Sequence, residues 1–296
     1  MRLAEWVHTI FFLYAGLLAL LLPLSTAIRL RVLIVNAVVL LLLKWLTLSG
    51  KWLPLRDAYA LALVILAYKQ MGWFAPPVHF YRLEKQWIVW DDVVLSGWGV
   101  KRMIEATGPV LPNLLEFSYL LVYAVGPFAV VMLYQFGDRK QVDAFLLIYV
   151  LGVLLSYGQF PFWPSEPPRT VFPGHLEPVP SLLREANMYV VGNAGIHTSV
   201  FPSAHVSGVV AAALAIWRLL PAQNWLRYGF AVYAFLVTVA TFYGRYHYFV
   251  DAVAGVAVAI AAVFIAYALL RAWDRSRCSS LYVQASTRPA RSRQRS

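Results

Sequence analysis

Long stretches of uninterrupted apolar residues recur along this chain. Residues 17–22 and 38–43, for example, contain only apolar side chains. A backbone that faces lipid must satisfy its own hydrogen bonds, so only helices and closed barrels cross a membrane. Barrel strands alternate apolar and polar residues, which these stretches do not. With 60% hydrophobic and only 13% charged residues, the sequence predicts an all-α, polytopic transmembrane helix bundle.

Eight segments carry the roughly 17–25 apolar residues that a membrane-spanning helix needs. They are residues 7–28, 32–48, 58–74, 114–136, 142–163, 203–220, 225–243 and 249–270. Residues 1–75 hold the N-terminal spans, and residues 114–271 hold a core bundle. Residues 164–202 are rich in proline and glycine and form a long outer loop. A loop of this length between two spans is typical of a functional segment.

An interfacial segment is expected between the N-terminal spans and the core bundle, in residues 76–113. It mixes Trp87, Trp90 and Trp98 with charged residues. Tryptophan next to charge is typical of a helix that lies at the level of the lipid headgroups. The sequence leaves open whether this helix does more than pack at the interface.

The positive charge is concentrated at the C-terminus. The formal net charge is +11, and residues 271–296 contain seven arginines against one aspartate. A basic segment directly after an apolar span is typical of a cytoplasmic anchor, and no aromatic pattern indicates nucleic-acid binding. We expect residues 272–296 to be a disordered cytoplasmic tail and an even number of spans to place both ends there. Arg29 and Arg31 fall on the outer side and disagree with this orientation.

The first span also resembles a signal peptide, because Arg2 precedes it and Ser25 and Ala27 are small residues near its end. Glu5 weakens the basic leader and a second span follows almost at once, so we expect no cleavage. The single cysteine, Cys278, excludes an internal disulfide and a cysteine-ligated metal cage.

Two polar clusters flank predicted spans and are the first candidates for chemistry. His247 and Asp251 are four residues apart, which places both on one face of a helix. The carboxylate can fix the imidazole tautomer and leave the other ring nitrogen as a nucleophile. Ser203 is expected to be the N-cap of the sixth span, with His205 in its first turn. That helix end suits an anion, and His205 could protonate a leaving oxygen.

Two arginines distinguish an anion site from a metal site. The guanidinium groups of Arg169 and Arg245 suit phosphate oxygens and would repel a cation, so we expect no metal and no cofactor. Arg169 alone is equally consistent with an arginine that reaches to the membrane surface. His197 lies in the outer loop, where it contacts a substrate headgroup or faces solvent, and solvent is favoured.

These residues resemble the signature motifs of the type 2 phosphatidic acid phosphatase superfamily of membrane lipid phosphatases and phosphotransferases. Residues 202–205, PSAH, are similar to its Pro-Ser-Gly-His motif, and His247 followed by Asp251 is similar to its next motif. The strings FPSAH and RYHYFVDAVAG are most similar to the branch of inositol phosphorylceramide synthases and their bacterial relatives. The resemblance covers about residues 164–255.

The resemblance implies that His247 forms a phosphohistidine, that Asp251 holds its ring and that His205 protonates the leaving alcohol. It also implies that Arg169, Arg245 and Ser203 bind the phosphoryl oxygens of a membrane lipid, on the extracytoplasmic face. The chain departs from the family where its first motif has a lysine ahead of Arg-Pro. It also has Thr241 where the third motif has arginine, and we expect Arg245 to substitute.

Several functions remain open from the sequence. The second half of the reaction gives a phosphatase with water and a transferase with a hydroxyl acceptor. The substrate could be a lipid phosphate, a polyisoprenyl pyrophosphate or the donor for an inositol phosphorylceramide-type lipid. A transporter or channel would place its ionisable residues at mid-membrane, whereas here they gather at span ends. An intramembrane serine protease would need Ser203, which the cap explains better.

Overall fold

The computed structural model describes residues 1–49, 52–74, 80–196, 198 and 200–286, with side chains up to residue 275. These described residues form helices and no strand, which confirms the all-α prediction. The helices are α1 (Leu3–Leu21), α2 (Thr26–Leu48), α3 (Leu53–Met71), α4 (Arg82–Asp91), α5 (Val100–Glu105), α6 (Val110–Leu120), α7 (Val125–Phe136), α8 (Arg139–Tyr157), α9 (Pro168–Val171), α10 (Leu182–Ala194), α11 (Ala204–Leu219), α12 (Asn224–Tyr243) and α13 (Phe249–Ser286).

Each of the eight predicted spans corresponds to a helix or to a pair of consecutive helices. Within the described residues, six helical segments are long and apolar enough to cross a membrane, which marks the chain as an integral membrane protein. The two that fall short are α3 and α11. Helix α3 carries Arg56, Asp57 and Lys69, and α11 is shorter than the other spans. The prediction of eight crossings is therefore not confirmed by helix length and composition.

Helix α8 is the central element of the bundle. Its side chains are buried on almost every face, from Val142 to Tyr157, and it packs against α1, α3, α7, α11 and α13. A helix that is apolar all round belongs in the interior of a bundle. Close approach to α11 depends on Gly152, because a Cβ there would lie 2.7 Å from the Cβ of Ala211. The Ser156 and Ser207 hydroxyls meet at 2.9 Å, which places the end of α8 beside the start of α11.

A network of ion pairs lies at the other end of the bundle, around the start of α8. Arg56 contacts Glu5 at 2.6 Å, and Arg139 contacts Asp57 at 2.6 Å. Glu5 and Asp57 are buried, and Arg2 pairs with both. This network joins α1, α3 and the start of α8, so it anchors the N-terminal helices to the core.

The interfacial segment is more deeply built into the fold than its sequence predicts. Helix α4 continues into a π-helical turn at Asp92–Gly97 and is followed by α5. Trp90 and Trp98 are exposed, as a headgroup-level helix requires, but Trp87 is buried. The Trp87 ring stacks on Phe201 at 5.0 Å and contacts Tyr248. Helix α4 therefore packs beneath the loops that carry the polar clusters.

The C-terminal helix extends beyond the last predicted span. Helix α13 continues to Ser286, so the first part of the segment predicted to be a disordered tail is helical.

Candidate active site

The two predicted catalytic histidines meet at one end of the bundle. His205 lies in the first turn of α11, and His247 lies in the short connection between α12 and α13. The Nδ1 atom of His205 is 3.2 Å from the Nε2 atom of His247. The cap of α11 explains this placement, because the side chain of Ser203 accepts a hydrogen bond from the Val206 N–H, as predicted. We call the end of the bundle with this histidine pair the site end.

The His247 ring is held in one tautomer. Its Nδ1 atom lies 3.0 Å from the Val200 carbonyl oxygen and 3.4 Å from Oδ2 of Asp251. Both neighbours are acceptors, so Nδ1 carries the proton and Nε2 keeps its lone pair. Asp251 is fixed in turn, because its Oδ2 accepts a hydrogen bond from the Tyr248 N–H at 2.9 Å. The Val200 carbonyl could not be found from sequence, since a main-chain acceptor has no residue signature.

The protonation state of His247 suits a nucleophile. Burial and, to a smaller extent, the nearby positive charge of Arg169 lower the pKa of its imidazole to about 3. The ring is only 6% exposed. His247 is therefore neutral at physiological pH, with the Nε2 lone pair available.

Arg169 is the predicted arginine that the structure brings to the histidines. It lies on α9, in the long loop, and borders the same cavity as His205 and His247. Its Nη1 donates to the Tyr246 carbonyl oxygen at 3.3 Å, and its guanidinium lies 5.6 Å from the centre of the Tyr246 ring. Its main-chain N–H donates to the Arg245 carbonyl at 3.3 Å. The guanidinium is thus fixed beside the nucleophile in a setting suited to an anion.

The prediction that Arg245 binds phosphate is not supported by its position. Arg245 has a left-handed backbone, with φ at 59°, and its side chain turns away from the cavity towards α4. There it is fully buried and forms an ion pair with Asp91. Asp91 also accepts a hydrogen bond from the Phe249 N–H at 2.8 Å. Arg245 therefore holds the connection that carries His247 and does not border the cavity.

Burial also raises the pKa of Asp91 to about 6, even though the positive charge of Arg245 opposes this rise. This ion pair was not predicted. The only sequence signal for it was a carboxylate within the tryptophan-rich interfacial segment.

Ser203, like Arg245, supports the fold around the site and does not line the cavity. It is fully buried, it does not border the cavity, and its N–H donates to the Asp251 carbonyl at 3.0 Å. This hydrogen bond ties the start of α11 to the start of α13 and so holds the two histidines at one level.

His197 lies outside the described residues, so the prediction for it stays a prediction.

Arg184 on α10 is a second arginine near the site that the sequence did not single out. Its Nη1 donates to the Gly244 carbonyl at 2.9 Å and contacts Glu116 at 3.2 Å. Its guanidinium lies 5.8 Å from the centre of the Tyr246 ring, against which Arg169 also packs. The Tyr246 ring thus packs against two guanidinium groups, while its hydroxyl donates to Glu116 at 2.5 Å. Among the described residues, no group of three His, Cys, Asp or Glu side chains is placed to hold a metal ion.

A cavity of about 320 Å³ leads from the histidine pair into the bundle. Its polar end is formed by His205, His247 and Arg169. The rest of its wall is mostly apolar and comes from α3, α6, α7, α8 and α11. An apolar cavity with a few convergent polar groups is the usual form of a small-molecule site.

Two comparisons relate this chain to known proteins. A protein of Dictyostelium discoideum described as PA-phosphatase related-family is 44% identical over 62 residues, which are 20% of this chain. The chain thus spans about 10% of the length of that relative. No solved structure matches. The family model described as the PAP2 superfamily matches residues 96–265, more than half of the chain. The chain therefore belongs to the PAP2 superfamily.

Proposed function

We propose that this protein is a membrane lipid phosphatase or phosphotransferase that works through a phosphohistidine on His247. Membership of the PAP2 superfamily supports a lipid phosphatase type of function. The observation that carries the proposal is the histidine pair, in which His247 presents its Nε2 to His205 at 3.2 Å beside Arg169.

In the first half-reaction, the Nε2 lone pair of His247 attacks phosphorus and the bond from phosphorus to the lipid oxygen breaks. His205 gives its proton to the departing oxygen, so the lipid leaves as an alcohol. Asp251 and the Val200 carbonyl stabilise the positive charge that develops on the ring through Nδ1. Arg169 neutralises the phosphoryl oxygens, and such charge neutralisation is the main source of catalysis in phosphoryl transfer.

The approach of the substrate has to separate the two rings. At 3.2 Å the two ring nitrogens are in hydrogen-bond contact, so a phosphoryl group enters only if His205 moves aside. An anionic phosphate between them also supplies the negative charge that keeps His205 protonated.

In the second half-reaction, the oxygen of the acceptor forms a bond to phosphorus and the bond to Nε2 breaks. The acceptor proton passes to His205, which restores the starting state. Water as acceptor gives a phosphatase, and a lipid hydroxyl gives a transferase. The strings FPSAH and RYHYFVDAVAG support transfer to a lipid hydroxyl of the inositol phosphorylceramide type as the narrower proposal.

The proposal is tested with purified protein in detergent or lipid. Wild type and His247→Ala are incubated with lipid phosphates, lipid pyrophosphates and phosphatidylinositol, with and without ceramide. We expect wild type to release phosphate or form a new lipid, and His247→Ala to lose this activity while retaining its thermal unfolding midpoint. Full turnover by a folded His247→Ala protein would contradict the proposal. Free phosphate as product indicates hydrolysis, and a new phospholipid indicates transfer.

A further inference from the structure

Helix α4 turns one buried face towards the site end. Glu84, Trp87 and Asp91 are separated by three and four residues, which places them on the same side of the helix. They are 0%, 8% and 0% exposed, whereas Gln86 and Trp90 on the other side are exposed. None of the three buried residues borders the cavity. They contact instead the connections between helices that carry the groups of the site.

Glu84 contacts the segment that carries Arg169. One oxygen of its carboxylate, Oε1, accepts a hydrogen bond from the Glu166 N–H at 2.9 Å. Two prolines, Pro167 and Pro168, separate Glu166 from the arginine. A proline ring fixes its own φ angle and restricts the backbone of the residue before it, so this short path is stiff. The hydrogen bond at Glu166 therefore helps to set where the Arg169 guanidinium lies.

Asp91 contacts the connection that carries His247, on both sides of this proposed nucleophile. Its Oδ2 pairs with Arg245, two residues before the histidine, and its Oδ1 accepts a hydrogen bond from the Phe249 N–H, two residues after it. Phe249 begins α13, where the first main-chain N–H groups have no partner within the helix. One buried carboxylate therefore fixes the backbone ahead of His247 and the helix start behind it.

Trp87 contacts the third segment of the site. Its ring stacks on Phe201 at 5.0 Å, and Phe201 shortly precedes Ser203, the N-cap of α11. Helix α11 carries His205 in its first turn. The same tryptophan ring contacts Tyr248, in the connection after α12, at 5.7 Å. One face of α4 therefore contacts all three segments that hold Arg169 and the two histidines.

We infer that α4 is a positioning helix for the proposed reaction. Its Glu84 places Arg169 to bind the phosphate. Its Asp91 places His247 to attack phosphorus. This inference rests on the proposed function and adds two residues that act on the reaction through others. Helix α4 lies before residues 96–265, the region that the family model matches, whereas the residues that it positions lie inside that region.

The two contacts should affect different kinetic constants. Arg169 binds the phosphate group both before and during the reaction, so its displacement should act mainly on KM. His247 acts in the chemical step, so its displacement should act mainly on kcat. Loss of folded protein would instead lower the apparent kcat of every variant and leave KM unchanged.

The Glu84 contact is tested on the substrate that wild type turns over fastest among lipid phosphates, lipid pyrophosphates and phosphatidylinositol. Glu84→Ala removes the acceptor, and Glu84→Gln keeps one oxygen for the Glu166 N–H. We expect Glu84→Ala to raise KM about tenfold with little change in kcat, and Glu84→Gln to restore KM to within about threefold of wild type. In an Arg169→Gln background, Glu84→Ala should have no further effect, because its influence passes through the guanidinium.

The Asp91 contact is tested by removal of the whole ion pair, because removal of one partner leaves a buried charge and can unfold the protein. Asp91→Leu combined with Arg245→Met puts apolar side chains in place of the pair, an exchange that proteins often tolerate. We expect this double variant to keep its thermal unfolding midpoint and to lose at least about tenfold in kcat at an unchanged KM. Asp91→Glu, which keeps the charge and moves the carboxylate, is the second variant and should also lower kcat alone. The matched control is Gln86→Ala, on the exposed side of α4, which should change neither constant.

Comparison of the two constants separates positioning from general damage. If Glu84→Ala lowers activity to the same extent in both backgrounds, the inference is wrong while the proposed function stands. The same conclusion follows if the double variant and Asp91→Glu both keep the kcat of wild type. If wild type turns over none of the substrates, or if His247→Ala is as active as wild type, the proposed function fails and the inference fails with it.

Discussion

At the scale of single residues, the site depends on one imidazole kept neutral by its surroundings. Protonation of His247 would remove the lone pair, so activity is lost as the pH falls through its pKa. Burial and Arg169 lower that pKa to about 3. Because the shift is downward, the His247 imidazole stays neutral and able to act as a nucleophile at pH values where an ordinary histidine, with a pKa near 6.5, becomes charged.

The lowered pKa of His247 predicts how activity depends on pH. Between pH 8 and pH 5, kcat/KM should show no loss attributable to His247, whereas an ordinary histidine would lose roughly thirtyfold at pH 5. The measurement is the initial rate from pH 5 to 8, corrected for the separately measured ionisation of the substrate phosphate. An acidic limb near 6.5 that remains after this correction would show that the imidazole is not shielded as the structure indicates.

The two predicted arginines should behave differently when changed. Arg169→Gln removes a charge beside the phosphate, so kcat/KM should fall about tenfold to a hundredfold at an unchanged thermal midpoint. Arg245→Gln breaks the buried pair with Asp91, which should cost about 3–5 kcal/mol of stability. The measurements are steady-state kinetics and thermal unfolding of purified protein. The account is wrong on this point if Arg245→Gln raises KM for the lipid with no loss of stability.

The sequence predicted the residues that meet at the histidine pair but not the ion pair that supports the connection carrying His247. His205, His247 and Asp251 have a recognisable spacing, and capping by Ser203 follows from local helix chemistry. The ion pair of Arg245 with Asp91 joins residues 154 positions apart. No local pattern predicts such a pairing, because it depends on how α4 packs against the connection after α12.

At the scale of elements, the histidine pair depends on the contact between the starts of α11 and α13. Gly255 on α13 permits this contact, because a Cβ there would lie 2.7 Å from the Ser203 carbonyl oxygen and 3.0 Å from the Val206 Cβ. Backbone cannot move aside as a flexible side chain can. The two helices must therefore separate if this glycine is replaced.

We expect Gly255→Ala to reduce turnover by at least tenfold, because separation of α11 from α13 moves His205 away from His247. The matched control is Gly229→Ala on α12, where a Cβ meets no atom within 4 Å. Both variants are assayed on the same lipid phosphate, and their unfolding midpoints are compared. Equal activity of the two variants would show that the close contact does not position the histidines.

The elements themselves were largely predictable, since continuous apolar stretches are strong signals and each predicted span has a helix. The interfacial segment was less predictable. Its tryptophans indicated membrane-surface packing, yet Trp87 is buried against Phe201. A tryptophan at a headgroup boundary and a tryptophan that supports a loop look alike in sequence, because both follow a mixture of aromatic and charged residues.

At the scale of the whole molecule, the ion-pair network around Glu5 and Asp57 and the histidine pair lie at opposite ends of the bundle. Helix α8 connects them, from Arg139 at the network to Tyr157 at the site end. We propose that the network end and the C-terminal tail face the cytoplasm and that the site end faces the opposite compartment. The basic tail supports this orientation.

Labelling with a membrane-impermeant maleimide tests this orientation. The natural Cys278 should react only after the membrane is opened. In a Cys278→Ser background, Leu182→Cys, on the exposed start of α10 near the site end, should react in intact cells. Labelling of both positions from the same side would contradict the proposed orientation and leave the site chemistry untouched.

The most direct test of the central claim is to trap the covalent intermediate. Wild type is mixed with a lipid substrate labelled in the reacting phosphate, quenched within the first turnover and digested for mass spectrometry. We predict an acid-labile, base-stable phosphoryl group on the peptide containing His247, and none in His247→Ala. Steady turnover of the labelled substrate with no phosphoryl group on His247 at any time point would contradict the account.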